Sequence, residues 1–364
     1  MSDSPTPHVL TLIQRHGWNA TAFQTLESGY HYFFHGDDAC VAYVDTGSAW
    51  VAAGAPLAPQ DRLDDVAHAF AAAARAAGRR ACFFATEPRF RDATRASFRS
   101  YVIGQQPSWD PRDWAASLAR HKSMREQLRR ARNKGVRVRP LAPHELESGP
   151  IREALLRVGR RWLATRQMAA MSFLVRLEPF HLAEHRQCFI AEREGLLVGF
   201  AGVVPVPARS GWFLEDLVRD PTAPNGTSEL LVDAVMGWAA AHGCSWLTLG
   251  LAPLAGEVGA GLRWARRLSS PLYDFDGLRV YKDKLRPHSW TDIYLSYPES
   301  QHALTSLWDA LRAFAPEGLL RFGVQSLLRG PAVVVAVLAA LLVPWTLLLA
   351  AAPARHWFGS AYLK

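Results

Sequence analysis

The sequence predicts an α/β protein with two lobes of similar plan and a hydrophobic helix near its C-terminus. Residues 30–85 and 188–250 each read as apolar strands, then a helix that ends at a glycine, then one further strand. Strands that alternate with helices in this way favour a mixed α/β layer over an all-helical or all-β fold. The third observation is a run without charged residues from 330 to 354, which suits a transmembrane helix.

The first lobe, residues 1–140, begins with three strands separated by turns of the sequences Gly-Asp-Asp and Asp-Thr-Gly-Ser. An Ala-rich helix follows from about residue 60 to residue 77 and stops at Gly78, a residue type that commonly ends helices. The predicted strands are Tyr30–Phe34, Cys40–Val44, Ala49–Ala53 and, after the helix, Ala81–Ala85.

A strongly basic helix closes the first lobe and stops at Asn133-Lys-Gly135. Its cations are Arg120, Lys122, Arg125, Arg129, Arg130, Arg132 and Lys134, and Glu126 is the one acidic residue among them. Arg125, Arg129 and Arg132 lie near one face, because residues three or four apart are neighbours on a helix. So few acidic residues favour phosphate binding by these three arginines, although an ordinary solvated face is the alternative.

The second lobe, residues 150–300, follows a linker at Pro140–Gly149 and repeats the order of elements without evident sequence identity to the first. Its helices are predicted at Arg152–Ala164 and Ser228–Ala241. Its strands are predicted near Cys188–Ala191, Leu197–Val204, Gly211–Leu214 and Trp246–Gly250.

The helical tail, residues 301–364, contains the charge-free run, and residues 331–353 are its predicted membrane anchor. At about 1.5 Å per residue this run covers the roughly 30 Å hydrocarbon core of a bilayer. A buried core helix or a hairpin in one leaflet is the alternative. The N-terminus lacks the basic stretch and apolar core of a signal peptide. The body of the chain is therefore expected on the cytosolic side of the inner membrane.

The formal net charge of +8 predicts anionic partners, and nucleic acid and anionic lipid headgroups both fit. The four cysteines, Cys40, Cys82, Cys188 and Cys244, stand far apart, and no histidine pair has the spacing of a zinc site. We expect the cysteines to be reduced and buried, with neither a metal site nor a cofactor.

Charged residues follow the apolar stretch Trp212–Leu214 and are candidates for a site at the end of that strand. Asp216 and Arg219 either pair with each other or hold an amino group and a phosphate, respectively. Asn225, Gly226 and Thr227 open the next helix, where their amides suit an anion, although capping alone explains them equally well.

Lys282 and Lys284 alternate with Asp283, so a strand at this position would point both lysines to one face. Such a pair suits an oxyanion or phosphate clamp, and a solvated strand edge is the alternative.

The order of strand, loop, helix and strand in the second lobe resembles the N-acetyltransferase superfamily, which binds its acyl donor where two strands splay. The loop here, Arg219–Thr227, lacks the paired glycines with which that superfamily holds the pyrophosphate of coenzyme A. This difference counts against an ordinary acetyl-CoA enzyme. An acyltransferase that uses coenzyme A or another small donor is the first alternative function.

Several segments together, over about residues 25–300, resemble the C-terminal catalytic domain of phosphatidylglycerol lysyltransferases. They are Arg125–Gly135, Trp162–Arg166, Asp216–Arg219, Leu249–Leu254 and Asp276–Pro287. The resemblance implies tandem N-acetyltransferase-like (GNAT) lobes and a membrane-bound aminoacyltransferase. It implies aminoacyl-tRNA as the donor and an anionic phospholipid such as phosphatidylglycerol as the acceptor. It also implies that Lys282 lies beside Asp216 and Arg219, which makes these three the candidate catalytic residues.

The chain departs from that family in two ways. The family usually has membrane helices before the catalytic domain, whereas the apolar run here follows it. Where many members carry Glu-Lys-Gly-Phe-Ser-Leu-Gly, this chain has Ala169–Val175. These departures indicate a distinct branch, so the amino acid and the acceptor stay open. A non-catalytic pair of lobes that binds lipid or nucleic acid is the second alternative.

Overall fold

The computed structural model describes residues 6–146, 149–165, 173–174, 177–255 and 275–314. Within these ranges no helix is both long enough and apolar enough to cross a bilayer. The predicted anchor at residues 331–353 lies outside the described residues.

The N-terminal half of the chain forms strands β1 to β5 and helices α1 to α5. The strands are β1 (His31–Phe34), β2 (Cys40–Asp45), β3 (Ala49–Ala53), β4 (Arg80–Thr86) and β5 (Phe98–Trp109). The helices are α1 (Thr6–His16), α2 (Leu63–Ala76), α3 (Pro88–Thr94), α4 (Trp114–Arg120) and α5 (Lys122–Asn133), and a 3₁₀ segment at Ala20–Leu26 follows α1. The four predicted strands and the predicted basic helix are confirmed.

The C-terminal half contains β6 to β12 and α6 to α10. The strands are β6 (Arg137–Leu141), β7 (Gln187–Arg193), β8 (Leu196–Val206), β9 (Gly211–Arg219), β10 (Trp246–Thr248), β11 (Ala252–Pro253) and β12 (Ser289–Pro298). The helices are α6 (Pro143–Leu146), α7 (Gly149–Ala164), α8 (Thr227–Ala241), α9 (Phe275–Lys284) and α10 (Ala303–Phe314).

The strand predicted around Lys282 and Lys284 is wrong, because this segment is the end of helix α9. Leu278, Tyr281 and Leu285 are spaced by three and four residues, which is the helical period. Leu285 is buried among the apolar residues of the C-terminal half, and that packing outweighs the short alternation of Lys-Asp-Lys. The two lysines therefore do not share one strand face.

The described strands form one sheet of twelve strands in the order β1-β2-β3-β4-β12-β5-β10-β9-β8-β7-β6, with β11 paired to β5. Strands of the two halves alternate at the centre of this sheet: β12, from the C-terminal half, lies between β4 and β5, and β5 lies next to β10. The two halves thus exchange a strand at the centre. The antiparallel pairing of β5 with β12 extends from Phe98 opposite Pro298 to Ser108 opposite Ser289.

Each half contains one parallel pair of strands joined by a helix. The pair β3–β4 is joined through α2, and the pair β9–β10 is joined through α8. The other described pairs are antiparallel. This mixed sheet confirms the predicted α/β class. The four cysteines are free and buried, as the sequence predicted.

Candidate functional site

Strands β9 and β10 pair only as far as Phe213 and Thr248. Beyond this point β9 stays paired with β8, whereas the chain that leaves β10 pairs with β5 through β11, so the two segments diverge. We call this point of divergence the gap. The chain leaving β10 turns at Gly250, whose φ of +70° favours glycine. A side chain at Gly250 would also lie 2.7 Å from the Phe213 ring. This turn directs the backbone carbonyls of Leu249, Gly250 and Leu251 towards one point.

The side chain of Lys282, on α9, occupies that point. Its Nζ donates to the carbonyl oxygens of Leu249, Gly250 and Leu251 at 2.8, 2.8 and 3.0 Å. Lys282 is only 4% exposed, and burial lowers the pKa of its ammonium to about 7. Three carbonyl acceptors match the three protons of an ammonium. Lys282 is therefore a buried cation held by dipoles, with a pKa close to neutral pH.

Asp216 lies on β9, beside the same gap, and is buried. Its Oδ2 has no hydrogen-bond partner among the described residues. Burial raises the pKa of Asp216 well above its usual range, the carboxylate of Glu215 adds to the rise, and Arg186 opposes it. On β8, a side chain at Gly202 would lie 3.1 Å from that Oδ2, so glycine leaves room for the carboxylate.

Asp216 belongs to an acidic cluster that also contains Glu27, Arg186 and Glu215. Glu215 is the extra residue of a β-bulge between β8 and β9, and its carboxylate pairs with Arg186. The Arg186 Nη2 lies 4.0 Å from Glu27 Oε1. Burial and the neighbouring carboxylates raise the pKa of Glu27 to about 8. Three buried carboxylates thus share one guanidinium, so the cluster attracts protons or a cationic group.

Glu27 and Arg186 were not predicted from the sequence. They stand 159 positions apart (186 − 27), and neither lies in a motif. Glu215 directly precedes Asp216 but was not among the predicted site residues. A cluster assembled from distant positions leaves no local pattern, so single-sequence reasoning had no signal for it.

Arg219 and the start of α8 lie at the end of β9. Arg219 donates to the side-chain oxygen of Asn225 at 3.3 Å. Gly226 has a φ of +96°, and a side chain there would lie 2.7 Å from the backbone oxygen of Gln127 on α5. Thr227 is fully buried, and its hydroxyl donates to the Pro224 carbonyl. Helix α5 thus packs directly over the N-terminus of α8.

Lys284 lies apart from Lys282. Its Nζ contacts Glu229 Oε1, in the first turn of α8, at 2.8 Å. The side-chain amide of Gln127 donates to the same oxygen at 3.1 Å. Lys284 therefore links α9 to α8 and α5.

The three predicted arginines of α5 are exposed but have partners within the protein. Arg125 donates to the carbonyl oxygens of Leu118 and Ala119. The other two form ion pairs: Arg129 with Glu126 and Arg132 with Asp233, each at 2.7 Å.

Among the described residues, no hydrogen bond or ion pair joins Asp216, Arg219 and Lys282 to one another. The pairing of Thr248 with Phe213 sets Leu249–Leu251 alongside the next residues of β9, which include Asp216. The buried Lys282 ammonium is thus bound to one of the two diverging segments, and the buried Asp216 carboxylate belongs to the other. Such a gap can hold a polar substrate that has an amino group and a developing negative charge.

The family model described as phosphatidylglycerol lysyltransferase, C-terminal, matches residues 10–297. A phosphatidylglycerol lysyltransferase from Bacillus subtilis (strain 168) is 31% identical over 159 residues, which are 41% of this chain and 18% of the relative. The lysylphosphatidylglycerol biosynthesis bifunctional protein LysX from Nocardia farcinica is 27% identical over 178 residues, which are 46% of this chain and 15% of the relative. The matched region therefore spans less than a fifth of either relative.

Solved structures share the fold. L-PGS from Bacillus licheniformis has a TM-score of 0.73 at 20% identity and covers 85% of this chain and 96% of its own. A candidate lysylphosphatidylglycerol synthetase C-terminal domain from Agrobacterium fabrum has a TM-score of 0.72 at 21% identity, with coverages of 85% and 95%. The family match confirms the resemblance indicated by the sequence motifs. The chain belongs to the family of phosphatidylglycerol lysyltransferase C-terminal domains.

Proposed function

We propose that this chain transfers an aminoacyl group from aminoacyl-tRNA to phosphatidylglycerol at a membrane. The names of the two relatives specify lysine and phosphatidylglycerol. The observation that carries the proposal is the gap beside β9, in a chain of this family. Asp216 flanks it with an oxygen that has no partner among the described residues, and the Lys282 ammonium is bound to the opposite segment.

The reaction exchanges one ester for another. The acceptor hydroxyl attacks the aminoacyl carbonyl, the bond from that carbonyl to the tRNA ribose oxygen breaks, and the acceptor's proton ends on the departing ribose oxygen. Little free energy separates two esters, so catalysis consists of orienting the substrates and stabilising the tetrahedral oxyanion. This chemistry requires neither a metal nor a cofactor.

Lys282 and Asp216 have complementary roles in this proposal. Because its three protons are donated to backbone carbonyls, the Lys282 ammonium stabilises the oxyanion through its charge, and its pKa of about 7 also allows it to exchange a proton near neutral pH. Asp216, with Glu27 and Glu215 behind it, binds the ammonium of the aminoacyl group. A bound ammonium would neutralise part of the negative charge that contributes to the raised pKa of Asp216 and Glu27.

Most of the remaining candidate residues would bind phosphates. Arg219 and Lys284 lie near the start of α8 and suit a phosphate of the lipid headgroup or of the tRNA end, together with the exposed Asn225. Gly226 and Thr227 are buried under α5, and the Thr227 amide already donates to the Pro224 carbonyl, so their amides are not open to a phosphate in this structure. The exposed Arg125, Arg129 and Arg132 of α5 would contact the tRNA backbone, exchanging their present partners for phosphate oxygens.

The two halves are proposed to be tandem N-acetyltransferase-like lobes. Each has three antiparallel strands, a helix and a parallel strand, as in β1-β2-β3-α2-β4 and β7-β8-β9-α8-β10. The close packing of Gln127 on Gly226 counts against the coenzyme A alternative, because α5 covers the helix start at which that superfamily holds its donor. We further propose that residues 331–353 anchor the chain in the membrane, with the catalytic body in the cytosol.

Incubating the full chain with labelled lysyl-tRNA and phosphatidylglycerol vesicles, followed by lipid extraction, tests this function. We expect label in the lipid fraction with phosphatidylglycerol and none with phosphatidylcholine. Alanyl-tRNA in a parallel reaction tests the choice of amino acid. Lys282→Met serves as the inactive control. Label transferred from an acyl-CoA but not from any aminoacyl-tRNA would contradict the proposal.

A further inference from the structure

The N-terminal half has a pocket at the carboxyl ends of its own parallel pair, β3 and β4. We call it the β3–β4 pocket. It is a shallow depression, and the space in and above it, open solvent included, measures about 420 Å³. Ala53, Ala55 and Leu57 line one wall, just after β3, and Arg89 and Phe90 line another, just after β4. Crevices at such strand ends are common ligand sites in α/β folds.

A third wall comes from one face of the 3₁₀ segment. Asn19, Ala22 and Thr25 line the pocket together. This spacing of three is the turn of a 3₁₀ helix, so the three side chains share one face. The segment continues directly into Glu27 of the acidic cluster. The pocket thus lies along the short element that ends at the acidic cluster.

Two nitrogen donors of the pocket have no partner among the described residues. They are Nδ2 of Asn19, a residue that is only 7% exposed, and Nε of Arg89. The hydroxyl of the neighbouring Thr21 also lacks a partner there. Gly54, with a φ of +83°, allows this arrangement, because a side chain at Gly54 would lie 2.5 Å from that Asn19 nitrogen. Unpaired buried donors are costly, so the site is built for an acceptor.

The acceptor must be anionic, because the described residues supply Arg89 with no ion pair. The nearby carboxylate of Glu87 is taken by Arg209. Both guanidiniums lie over the Trp18 ring, at 5.0 Å for Arg89 and 4.4 Å for Arg209. Burial and the Arg209 charge lower the pKa of Arg89. An incoming anion would raise the pKa of Arg89 again, because a nearby negative charge favours the charged guanidinium.

We infer that the β3–β4 pocket is a second binding site, which takes a phosphoryl group through Arg89, Asn19 and Thr21. A phosphoryl group offers three acceptor oxygens for these three side chains, whereas a carboxylate offers two. The group can come from free phosphate or from a glycerophosphate headgroup. The inference does not depend on the proposed transferase activity, because it concerns a different pair of strands.

Calorimetric titration at constant ionic strength tests the site directly, with inorganic phosphate, glycerophosphoglycerol and acetate as probes. We expect saturable binding of at least one phosphorylated probe and none of acetate. Arg89→Gln should weaken that binding by about 10- to 100-fold, the usual effect of losing a hydrogen bond to a charged group. Ala55→Leu, which fills the pocket but keeps the cation, should weaken it as well.

Arg75→Gln is the matched control, since it removes one exposed positive charge from α2 and should leave the affinity unchanged. Melting curves of all three variants verify that they fold. Binding of glycerophosphoglycerol without phosphate would assign the site to a lipid headgroup, and binding of both would assign it to the phosphoryl group itself. Equal affinities in Arg89→Gln and Arg75→Gln, tighter binding of acetate, or no saturable binding would overturn the inference.

Discussion

The two parallel strand pairs of this sheet have the same topology but differ in the charged groups beside them. Beyond β4, the buried carboxylate of Glu87 is paired with Arg209, whose guanidinium also packs on Trp18 and Trp246. Beyond β9 and β10, Asp216 keeps an oxygen without a partner among the described residues, and Lys282 has carbonyls as its hydrogen-bond partners.

The difference separates a structural ion pair from a candidate reaction centre. Glu87 and Arg209 compensate each other's charge within the protein, so this pair contributes to folding. Around Asp216, burial raises the pKa of the carboxyl and, across the gap, lowers that of the Lys282 ammonium. Perturbed buried groups of this kind are costly to the folded state and concentrate at functional sites.

The largest expected effect is on stability and concerns the paired side of the comparison. Arg209→Met leaves the buried Glu87 carboxylate without its cation, and breaking a buried pair in this way costs about 3–5 kcal/mol. We expect a strongly lowered free energy of unfolding in denaturant titrations, with an unchanged turnover number of the molecules that remain folded. A variant with normal stability and lost turnover would show that this pair belongs to the reaction centre.

The opposite pattern is expected for Lys282→Met, which keeps most of the side-chain volume but removes the charge. Losing a group that stabilises an oxyanion typically lowers the rate by about 10²–10³-fold. Removing the buried ammonium relieves its desolvation cost, which offsets part of the loss of its three hydrogen bonds to carbonyls, so the effect on stability should be small beside the effect on turnover. Turnover and melting measured on one preparation decide the matter. Val280→Ala, at an exposed position of the same helix, is the control, and a similar loss of turnover there would point to a general effect of α9.

The elements around the two parallel strand pairs were predictable from local sequence patterns, whereas the central strands β5 and β12 were not predicted. The strands β1 to β4 are short apolar runs between turn residues. β5 contains Gly104-Gln-Gln-Pro107, which reads as a loop. It becomes a strand because β12 pairs along its length, and β12 is about 180 residues distant in sequence. Long-range pairing of this kind is invisible to local propensity.

The candidate site was predictable to a similar extent. Asp216 and Lys282 were singled out because family motifs surround them, and both turn out to be buried beside one gap. The acidic cluster could not be foreseen, since Glu27 and Arg186 acquire their perturbed surroundings only when the two halves pack. The site-residue assignments themselves stay predictions until the variants are measured.

The pH dependence of stability sharpens the comparison further. The pKa of Glu27 is about 8 in the folded protein and near 4.5 in the unfolded chain. Between these values the folded state binds more protons, so Glu27 lowers the stability as pH rises from about 4.5 to 8. For Lys282, with a pKa lowered from 10.5 to about 7, the unfolded state binds more protons, so stability rises from about pH 7 to 10.5.

Melting temperatures across this range check both slopes. Glu27→Gln should reduce the fall in the free energy of unfolding between about pH 4.5 and 8 by more than about 1.4 kcal/mol, the equivalent of one pKa unit. Lys282→Met should flatten the rise above pH 7 and leave the acidic side unchanged. A wild-type curve that Glu27→Gln does not alter would mean that Asp216, not Glu27, holds the cluster's extra proton.

The smallest effect concerns α5, whose arginines would extend the reaction centre towards tRNA. Replacing Arg125, Arg129 and Arg132 with Gln should weaken tRNA binding and reduce its dependence on salt, because each phosphate contact releases about one counterion. The slope of log K against log salt should fall by about one to three. The lower end is expected if the ion pairs to Glu126 and Asp233 persist in the complex, since a paired arginine releases less. Filter binding over a salt series measures the slope.

Replacing Arg15, Arg75 and Arg95 instead, which are exposed in the N-terminal half, changes the net charge equally and should leave the slope close to wild type. Equal slopes for both triple variants would mean that tRNA senses only the overall charge of the protein, and α5 would then lose its assignment as the binding surface.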